Sequence, residues 1–173
     1  MHLIVKSQFD LFLKEAQSAA RAIPGTEICG LLVETGARLS LMPTRNASRR
    51  VGSFVLSRVD VRRIAAAVKR LGHEIVGTFH SHPGGEPTPG ESDIRYAVDD
   101  SLMFIFDCIG RDGRLWRIRN GKAYSLRFVL TKEAEPPNQA AGGNAGERRS
   151  SARSNLNLLA ALPGMPQLCR NAK

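Results

Sequence analysis

Residues 80–93, HSHPGGEPTPGESD, carry two histidines one residue apart and an aspartate eleven positions after the second histidine. Imidazole nitrogens and a carboxylate oxygen are ligands that suit Zn²⁺. Three protein ligands leave the fourth tetrahedral position open for water, whereas structural zinc sites normally complete the shell with thiolates. Because the chain has no C-x-x-C pair, this spacing predicts a metal centre that performs chemistry.

The two histidines, His80 and His82, end an apolar, β-rich segment over residues 74–82. Side chains alternate along a strand, so both imidazoles project from the same face and can reach one ion. The Gly- and Pro-rich loop that follows can return the chain to the strand end, which places Asp93 in the first turn of the next helix. There Asp93 could also interact with the helix dipole, and Ser92 could cap the helix. Neither role excludes metal binding.

A metal-bound water also needs a group that accepts its proton. Glu27 opens the otherwise apolar run EICGLLVET, residues 27–35. A carboxylate at the start of an apolar strand is out of place unless it faces a cleft, although a solvent-exposed strand start is the alternative. Glu27 is therefore the predicted acid/base residue.

The elements that must position these residues follow from hydrophobic periodicity and turn signals. Ser7 is a plausible cap for the first helix, and Asn120-Gly121 favours a type I′ hairpin turn because both residues tolerate positive φ. Strands and helices are mixed without strict βαβ alternation, which predicts an α/β or α+β fold with a mixed central sheet. The pattern predicts helices over 8–22, 60–71 and 92–99, and strands over 27–35, 38–44, 74–82, 102–109, 114–120 and 122–130.

The bulk composition is that of one ordinary cytoplasmic domain. The chain has 173 residues, 42% of them hydrophobic, and no apolar run of about 18 residues that could cross a membrane. The first residues lack the pattern of a signal peptide. Three cysteines at wide spacings cannot make a fully paired framework, which agrees with a reducing compartment. Cys29 and Cys108 lie in apolar runs and are predicted to be small core residues.

The net charge of +9 raises the question of nucleic acid, since a basic face attracts phosphates. The cations are spread along the chain: residues 1–130 hold 19 of them with 13 acidic residues, and residues 131–173 hold 6 with 3. No aromatic and basic residues alternate in the manner of single-strand binders. We therefore expect a solvated basic surface and no nucleic-acid partner.

Residues 1–130 form the predicted domain, and residues 131–173 are expected to be a mobile tail. The tail has few large apolar residues and many Gly, Pro, Ser and Ala, so it cannot bury enough surface to offset the entropy of ordering. Within it, residues 156–165 are apolar enough to form a short docking helix, although a loosely packed end fits equally well.

Glu27 in an E-x-C-G-L-L context, VGTFHSHP over residues 76–83 and the aspartate eleven positions after the second histidine together resemble the JAMM motif of the MPN domain, also called the JAB or Mov34 family. The similarity covers roughly residues 6–130. It implies a cytidine-deaminase-like α/β/α fold, zinc bound by His80, His82 and Asp93, and Glu27 as general acid/base. It also implies cleavage of peptide or isopeptide bonds, often after the C-terminal Gly-Gly of ubiquitin or a ubiquitin-like protein.

One position departs from the family pattern. The family usually has a serine three residues before the aspartate, whose hydroxyl helps to stabilise the oxyanion, and here that position is Gly90. Ser92 or a backbone N–H of the Pro89-Gly90-Glu91 turn could replace it as the donor. The leading interpretation is a zinc peptidase acting on a ubiquitin-like or sulfur-carrier protein, with the identity of the substrate and the oligomeric state left open.

Two other classes of protein compete with this interpretation. A non-catalytic binding module would keep the fold as a scaffold, but the complete ligand set argues against it, because such members commonly lose ligands. A zinc nucleobase deaminase shares the fold, but its H-x-E and P-C-x-x-C signatures are absent.

Overall fold

The computed structural model describes residues 1–132. The predicted mobile tail, with the docking helix over 156–165, therefore lies almost entirely outside the described residues. The elements in chain order are β1 His2–Val5, α1 Lys6–Ala22, β2 Cys29–Thr35, β3 Arg38–Thr44, α2 Arg58–Arg70, β4 Glu74–His82, α3 Glu91–Tyr96, β5 Ser101–Asp107, β6 Asp112–Arg119, β7 Lys122–Leu126 and β8 Phe128–Thr131.

All eight strands of the described part form one mixed sheet in the order β7-β6-β5-β4-β2-β3-β1-β8. β4 pairs with β5 in parallel, and β1 pairs in parallel with both β3 and β8, while the other pairs are antiparallel. The two edge strands, β7 and β8, are separated in the chain by Arg127 alone. Two backbone steps span at most about 7 Å, so the two edges lie close together and the sheet curls.

The inner face of the curled sheet carries the larger apolar core. It is built on three buried residues of α1, Phe9, Phe12 and Leu13, which pack against the sheet. Leu126 and Phe128, from the two edge strands, pack against the same cluster, as the curl requires. The remaining buried members are Ile4, Leu32, Leu39, Leu41, Phe79, Leu102, Phe104, Phe106 and Leu115.

The outer face is covered by α2 and α3. Ser57 is the N-cap of helix α2, and its hydroxyl accepts a hydrogen bond from the Asp60 N–H. The helix contacts β3 and β4. Ile94 of α3 packs against Met103 and Ile105 of β5, which alternate with the inward-facing phenylalanines of that strand. Helices thus lie on both faces of a mixed sheet, and the predicted fold class is confirmed.

Several boundaries differ from the prediction. Ser7 is not the cap of α1, because the helix begins at Lys6 and its N-cap is Val5, without a side-chain hydrogen bond. The predicted strand over 122–130 is two strands, β7 and β8, which lie at opposite edges of the sheet. Strand β1 was not predicted, because four residues are too few to show periodicity. The Asn120-Gly121 turn is confirmed, with φ values of 51° and 65°.

Candidate metal centre

The end of β4 brings three of the predicted site residues together. His80 Nε2 lies 3.0 Å from His82 Nε2, so both imidazoles do project from one face of the strand. Asp93 Oδ2, from the first turn of α3, lies 3.5 Å from His80 Nε2 and 3.7 Å from His82 Nε2. The loop between the strand and the helix therefore returns the chain as predicted.

The spacing of these three atoms fits a tetrahedral ion. With metal–ligand bonds of about 2.0–2.1 Å, two ligands of a tetrahedral zinc ion lie about 3.3–3.4 Å apart. The observed separations, 3.0, 3.5 and 3.7 Å, bracket that value. A donor set of two imidazoles and one carboxylate also suits zinc and leaves one position for water. The residues present fit a zinc ion.

The two histidines differ in the hydrogen bonding and burial of their imidazole rings. His82 Nδ1 lies 2.7 Å from the backbone oxygen of Glu86, so its N–H donates there and the lone pair of Nε2 points at the cluster. His80 is fully buried, and its Nδ1 has no hydrogen-bond partner in the described part of the chain. Burial lowers the pKa of His80, which favours the neutral imidazole that binds metals.

Asp93 is the charged member of the cluster. Burial alone would raise its pKa, but hydrogen bonds with His80 and His82 and from the Gly90 N–H outweigh burial and hold the pKa of Asp93 well below its usual range. The Gly90 N–H donates to Asp93 Oδ2 over 2.8 Å. The carboxylate is thus ionised and oriented toward the two imidazoles.

Glu27 precedes β2 and is 7% exposed, so the solvent-exposed alternative does not hold. Burial, with a smaller contribution from Asp93, raises its pKa to about 7 although His82 opposes the shift. The chain beside Glu27 is joined to β4, because Ile28 N–H donates to Ser81 Oγ and Ser81 N–H donates to the Ile28 carbonyl. A buried carboxyl group with a pKa of about 7 therefore lies within range of the charges of two candidate ligands, His82 and Asp93.

The start of α3 decides the positions of Gly90 and Ser92. Gly90, not Ser92, is the N-cap, with φ −74° and ψ 171°, so the expectation that Ser92 caps the helix is wrong. Ser92 lies in the first helical turn, is exposed, and has no hydrogen bond to His80, His82 or Asp93 in the described residues. The structure does not bring Ser92 to the cluster.

Three residues near the centre were missed by sequence reasoning. The ring of Phe54 stacks on that of His80, with centroids 4.5 Å apart and an angle of 21°. Asn46 donates from Nδ2 to the backbone oxygen of Glu27 over 3.0 Å. Trp116 Nε1–H donates to the backbone oxygen of Pro87 and anchors the loop before Asp93. No local pattern marked Phe54 or Asn46, since both lie in a segment without periodicity.

Cations are concentrated in the segment that carries Phe54 and in helix α2, which follows it. Residues 45–73 hold eight arginines and lysines and one acidic residue, the buried Asp60. Five of these arginines are exposed and form no ion pair within the described residues: Arg49, Arg50, Arg58, Arg62 and Arg70. The counts for residues 1–130 and 131–173 predicted an even spread of cations, but residues 45–73 hold a local concentration of them.

The curled mixed sheet and the His-His-Asp cluster at the end of β4 together define a JAB-type domain. The chain belongs to the family described as prokaryotic homologs of the JAB domain, whose model matches residues 8–119. It is 33% identical over 111 residues to the desampylase of Haloferax volcanii, an alignment that covers 61% of this chain and 78% of that protein.

Two solved structures share the fold. One is a protein of Desulfitobacterium hafniense, with a TM-score of 0.64 and 20% identity, covering 78% of this chain and 96% of that one. The other is a protein of Salinibacter ruber, with a TM-score of 0.50 and 20% identity, covering 86% and 100%. Separately, none of the helices in the described residues has the length and apolar character needed to span a membrane.

Proposed function

We propose that the chain is a zinc-dependent metallopeptidase or isopeptidase. It hydrolyses a peptide or isopeptide bond at the C-terminal Gly-Gly of a ubiquitin-like or sulfur-carrier protein. Membership of the prokaryotic JAB family and the likeness to a desampylase support a hydrolase that acts on ubiquitin-like modifiers. The proposal includes a cytoplasmic location, in line with the free thiols of Cys29 and Cys108.

The observation that carries the proposal is the position of Glu27 beside a complete ligand set. His80, His82 and Asp93 offer three ligand atoms within 4.8 Å of one another. A buried carboxyl group with a pKa of about 7, that of Glu27, lies close enough to His82 and Asp93 for their charges to shift this pKa. A structural zinc site has no use for such a group, whereas a hydrolytic site needs one that takes up and releases a proton near neutral pH.

Each residue then has one role. His80, His82 and Asp93 would hold zinc, which lowers the pKa of a water molecule that it binds and so supplies a nucleophile at neutral pH. The Glu27 carboxylate accepts a proton at one of its oxygens and returns it to the leaving amine. Burial of Glu27 keeps its pKa in the range where both transfers proceed.

The test is cleavage of a panel of fusions in which Gly-Gly-ended carrier proteins are joined to a reporter. Parent protein with one zinc per chain should cleave at least one fusion after the second glycine. Treatment with a chelator should abolish cleavage, and added zinc should restore it. A zinc-loaded protein that cleaves none of a broad panel would count against the proposal.

A non-catalytic binding module is the second candidate, and Gly90 is the observation that favours it. The position that usually provides the oxyanion donor has no hydroxyl, and Ser92 is exposed and has no hydrogen bond to the three ligands in the described residues. A module of this kind would bind a carrier protein with equal affinity with and without zinc and leave it intact. Binding and cleavage measured on the same fusion separate the two candidates.

A further inference from the structure

His80 lacks the second contact that a metal-binding histidine usually has. Such a histidine commonly donates its other ring N–H to an acceptor, which fixes the orientation of the ring. His82 follows the rule through the backbone oxygen of Glu86. His80 does not, because its Nδ1 is buried without a partner in the described residues. Within the described part of the chain, no hydrogen bond at Nδ1 therefore orients the His80 ring, so another contact must limit its tilt on that side.

The Phe54 ring lies against the His80 ring. The two planes are 21° apart and the centroids are separated by 4.5 Å, a stacked arrangement. Stacking of this kind limits the tilt of the smaller ring. Phe54 is itself half-buried, and His80 is 0% exposed, so Phe54 also contributes to keeping water from the imidazole.

Asn46 holds the segment that carries Phe54. Its Nδ2 donates to the backbone oxygens of Glu27 and Ser53, over 3.0 and 3.1 Å. Its Oδ1 accepts from the backbone N–H groups of Ser48 and Val55, over 2.9 and 3.1 Å. The two backbone groups of Ser53 and Val55 lie on either side of Phe54. One amide side chain therefore ties the flanks of Phe54 to the backbone of Glu27.

We propose that Phe54 is a positioning residue for the His80 ligand and that Asn46 acts through it. Phe54 takes the role that a hydrogen-bond acceptor has for His82, and Asn46 fixes Phe54 in register with Glu27. The inference rests on the proposed zinc site. It adds that the segment over residues 45–57 sets the affinity of the centre for its metal.

The first measurement is the Kd for zinc, obtained by competition with a chromogenic chelator and without any substrate. Phe54→Leu should raise the Kd about 10–100-fold, the usual cost of losing an outer contact of a metal ligand. Phe54→Tyr, which keeps the aromatic ring, should have the zinc Kd of the parent. The matched control is Phe128→Leu, since Phe128 is also half-buried but packs on the inner core against Phe104. It should leave the Kd unchanged.

The second measurement is the visible absorption spectrum of the Co²⁺-loaded protein, which reports the geometry of the ligands. Phe54→Leu should shift or broaden the absorption bands, and Phe128→Leu should leave them as in the parent. A merely structural role for Phe54 would lower the melting temperature and leave the bands unaltered. Thermal melting in the presence of a chelator checks that each variant folds. If Phe54→Leu does not fold, Phe54→Met is measured in its place under the same criteria.

The third measurement is a double-mutant cycle with Asn46→Ala. If Asn46 acts through Phe54, Asn46→Ala should raise the zinc Kd by itself and add little to Phe54→Leu, since coupled residues are not additive. Additive effects would overturn the role of Asn46.

Parent-like zinc affinity and cobalt spectra in Phe54→Leu, or in Phe54→Met where it replaces that variant, would overturn the role of Phe54. His82→Ala, measured in the same assay, keeps the two proposals distinguishable. If His82→Ala retains zinc, the proposed metal site itself fails. If His82→Ala loses zinc while the Phe54 variants bind as the parent does, only the inference about Phe54 fails.

Discussion

His82 is one of only three protein ligands in the candidate centre, and its Nε2 lies 3.0 Å from that of His80. We predict that His82→Ala abolishes binding of the single zinc per chain, because two remaining ligands make an incomplete set. Elemental analysis of purified protein checks this. The control is His73→Ala, because His73 lies outside the cluster, and this variant should keep its zinc. If His82→Ala keeps as much zinc as His73→Ala, the proposed site is refuted.

Glu27→Gln separates metal binding from chemistry. It preserves the shape of the side chain but removes the proton acceptor, so the variant should keep zinc while the rate of hydrolysis falls by about 10²–10⁴-fold.

The metal-free Glu27→Gln variant should also be more stable than the metal-free parent at pH 8. Burial raises the pKa of Glu27 to about 7, so the parent loses stability as pH rises from the unfolded-state pKa through that value. Melting curves of both metal-free proteins at pH 5 and pH 8 test this difference in stability. For the chemistry, turnover of Glu27→Gln at the parent rate would exclude Glu27 as the base.

Gly90→Ser tests whether the missing hydroxyl limits the rate. The φ of Gly90 is −74°, a value that a serine adopts without strain. A Cβ at this position would meet Asp93 Oδ2 at 3.4 Å, an ordinary contact. Because Pro89 has no N–H and that of Gly90 is donated to Asp93, only the Glu91 N–H of this turn remains as a backbone donor.

Gly90→Ser should therefore accelerate hydrolysis, by up to about 10²–10³-fold if the serine recovers what an oxyanion donor is worth elsewhere. Single-turnover rates on a cleaved fusion measure this. Ser92→Ala is the matched control and should leave the rate unchanged, because Ser92 is exposed and forms no hydrogen bond with the three ligands in the described residues. A slower Gly90→Ser enzyme would indicate instead that a backbone N–H of this turn is the oxyanion donor.

Among the elements, the junction of β3, the 45–57 segment and α2 depends on one buried carboxylate. Asp60 Oδ2 accepts from the backbone N–H and Nε of Arg45, and Oδ1 accepts from Arg63. Burial would raise the pKa of Asp60, but the hydrogen bonds from Arg45 and Ser57 prevail and lower it. The carboxylate therefore stabilises the fold at neutral pH.

Asp60→Asn should lower the free energy of unfolding by about 1.5–3 kcal/mol at pH 7, the usual value for hydrogen bonds to a charged group. A depressed folded-state pKa means that this contribution is present above the unfolded pKa of about 3.9 and is lost as pH falls. The difference between parent and variant should therefore shrink below pH 4. Urea unfolding at pH 7 and pH 3 measures it, with the exposed Asp10→Asn as control. A difference independent of pH would contradict this role.

At the scale of the whole molecule, the division into a domain over 1–130 and a tail over 131–173 stays a prediction. Truncation after Thr131, the last residue of β8, should leave a folded domain that binds zinc, because the removed segment has the composition of a disordered chain. Melting temperature and zinc content measured on both chains check this. A fall of many degrees on truncation would show that residues 156–165 pack on the domain.

The sequence by itself determined the features that depend on neighbours in the chain. Strand alternation puts His80 and His82 on one face, a Gly- and Pro-rich loop returns Asp93 to them, and Asn120-Gly121 forms its turn. These outcomes follow from local backbone geometry. The spacing of the motif therefore sufficed to predict the candidate ligands, and Glu27 was predicted from its place at the start of an apolar run.

Only the tertiary structure decided what depends on contacts between distant residues. β8 leaves β7 after one residue and pairs with β1, where Leu3 is opposite Val129, because closing the curled sheet places Phe128 in the inner core. Phe54 stacks on His80, although 26 positions separate them, because Asn46 fixes an aperiodic segment to the backbone of Glu27. Partners so far apart are selected by packing across the whole fold rather than by local propensity, and so no pattern in the sequence marked them.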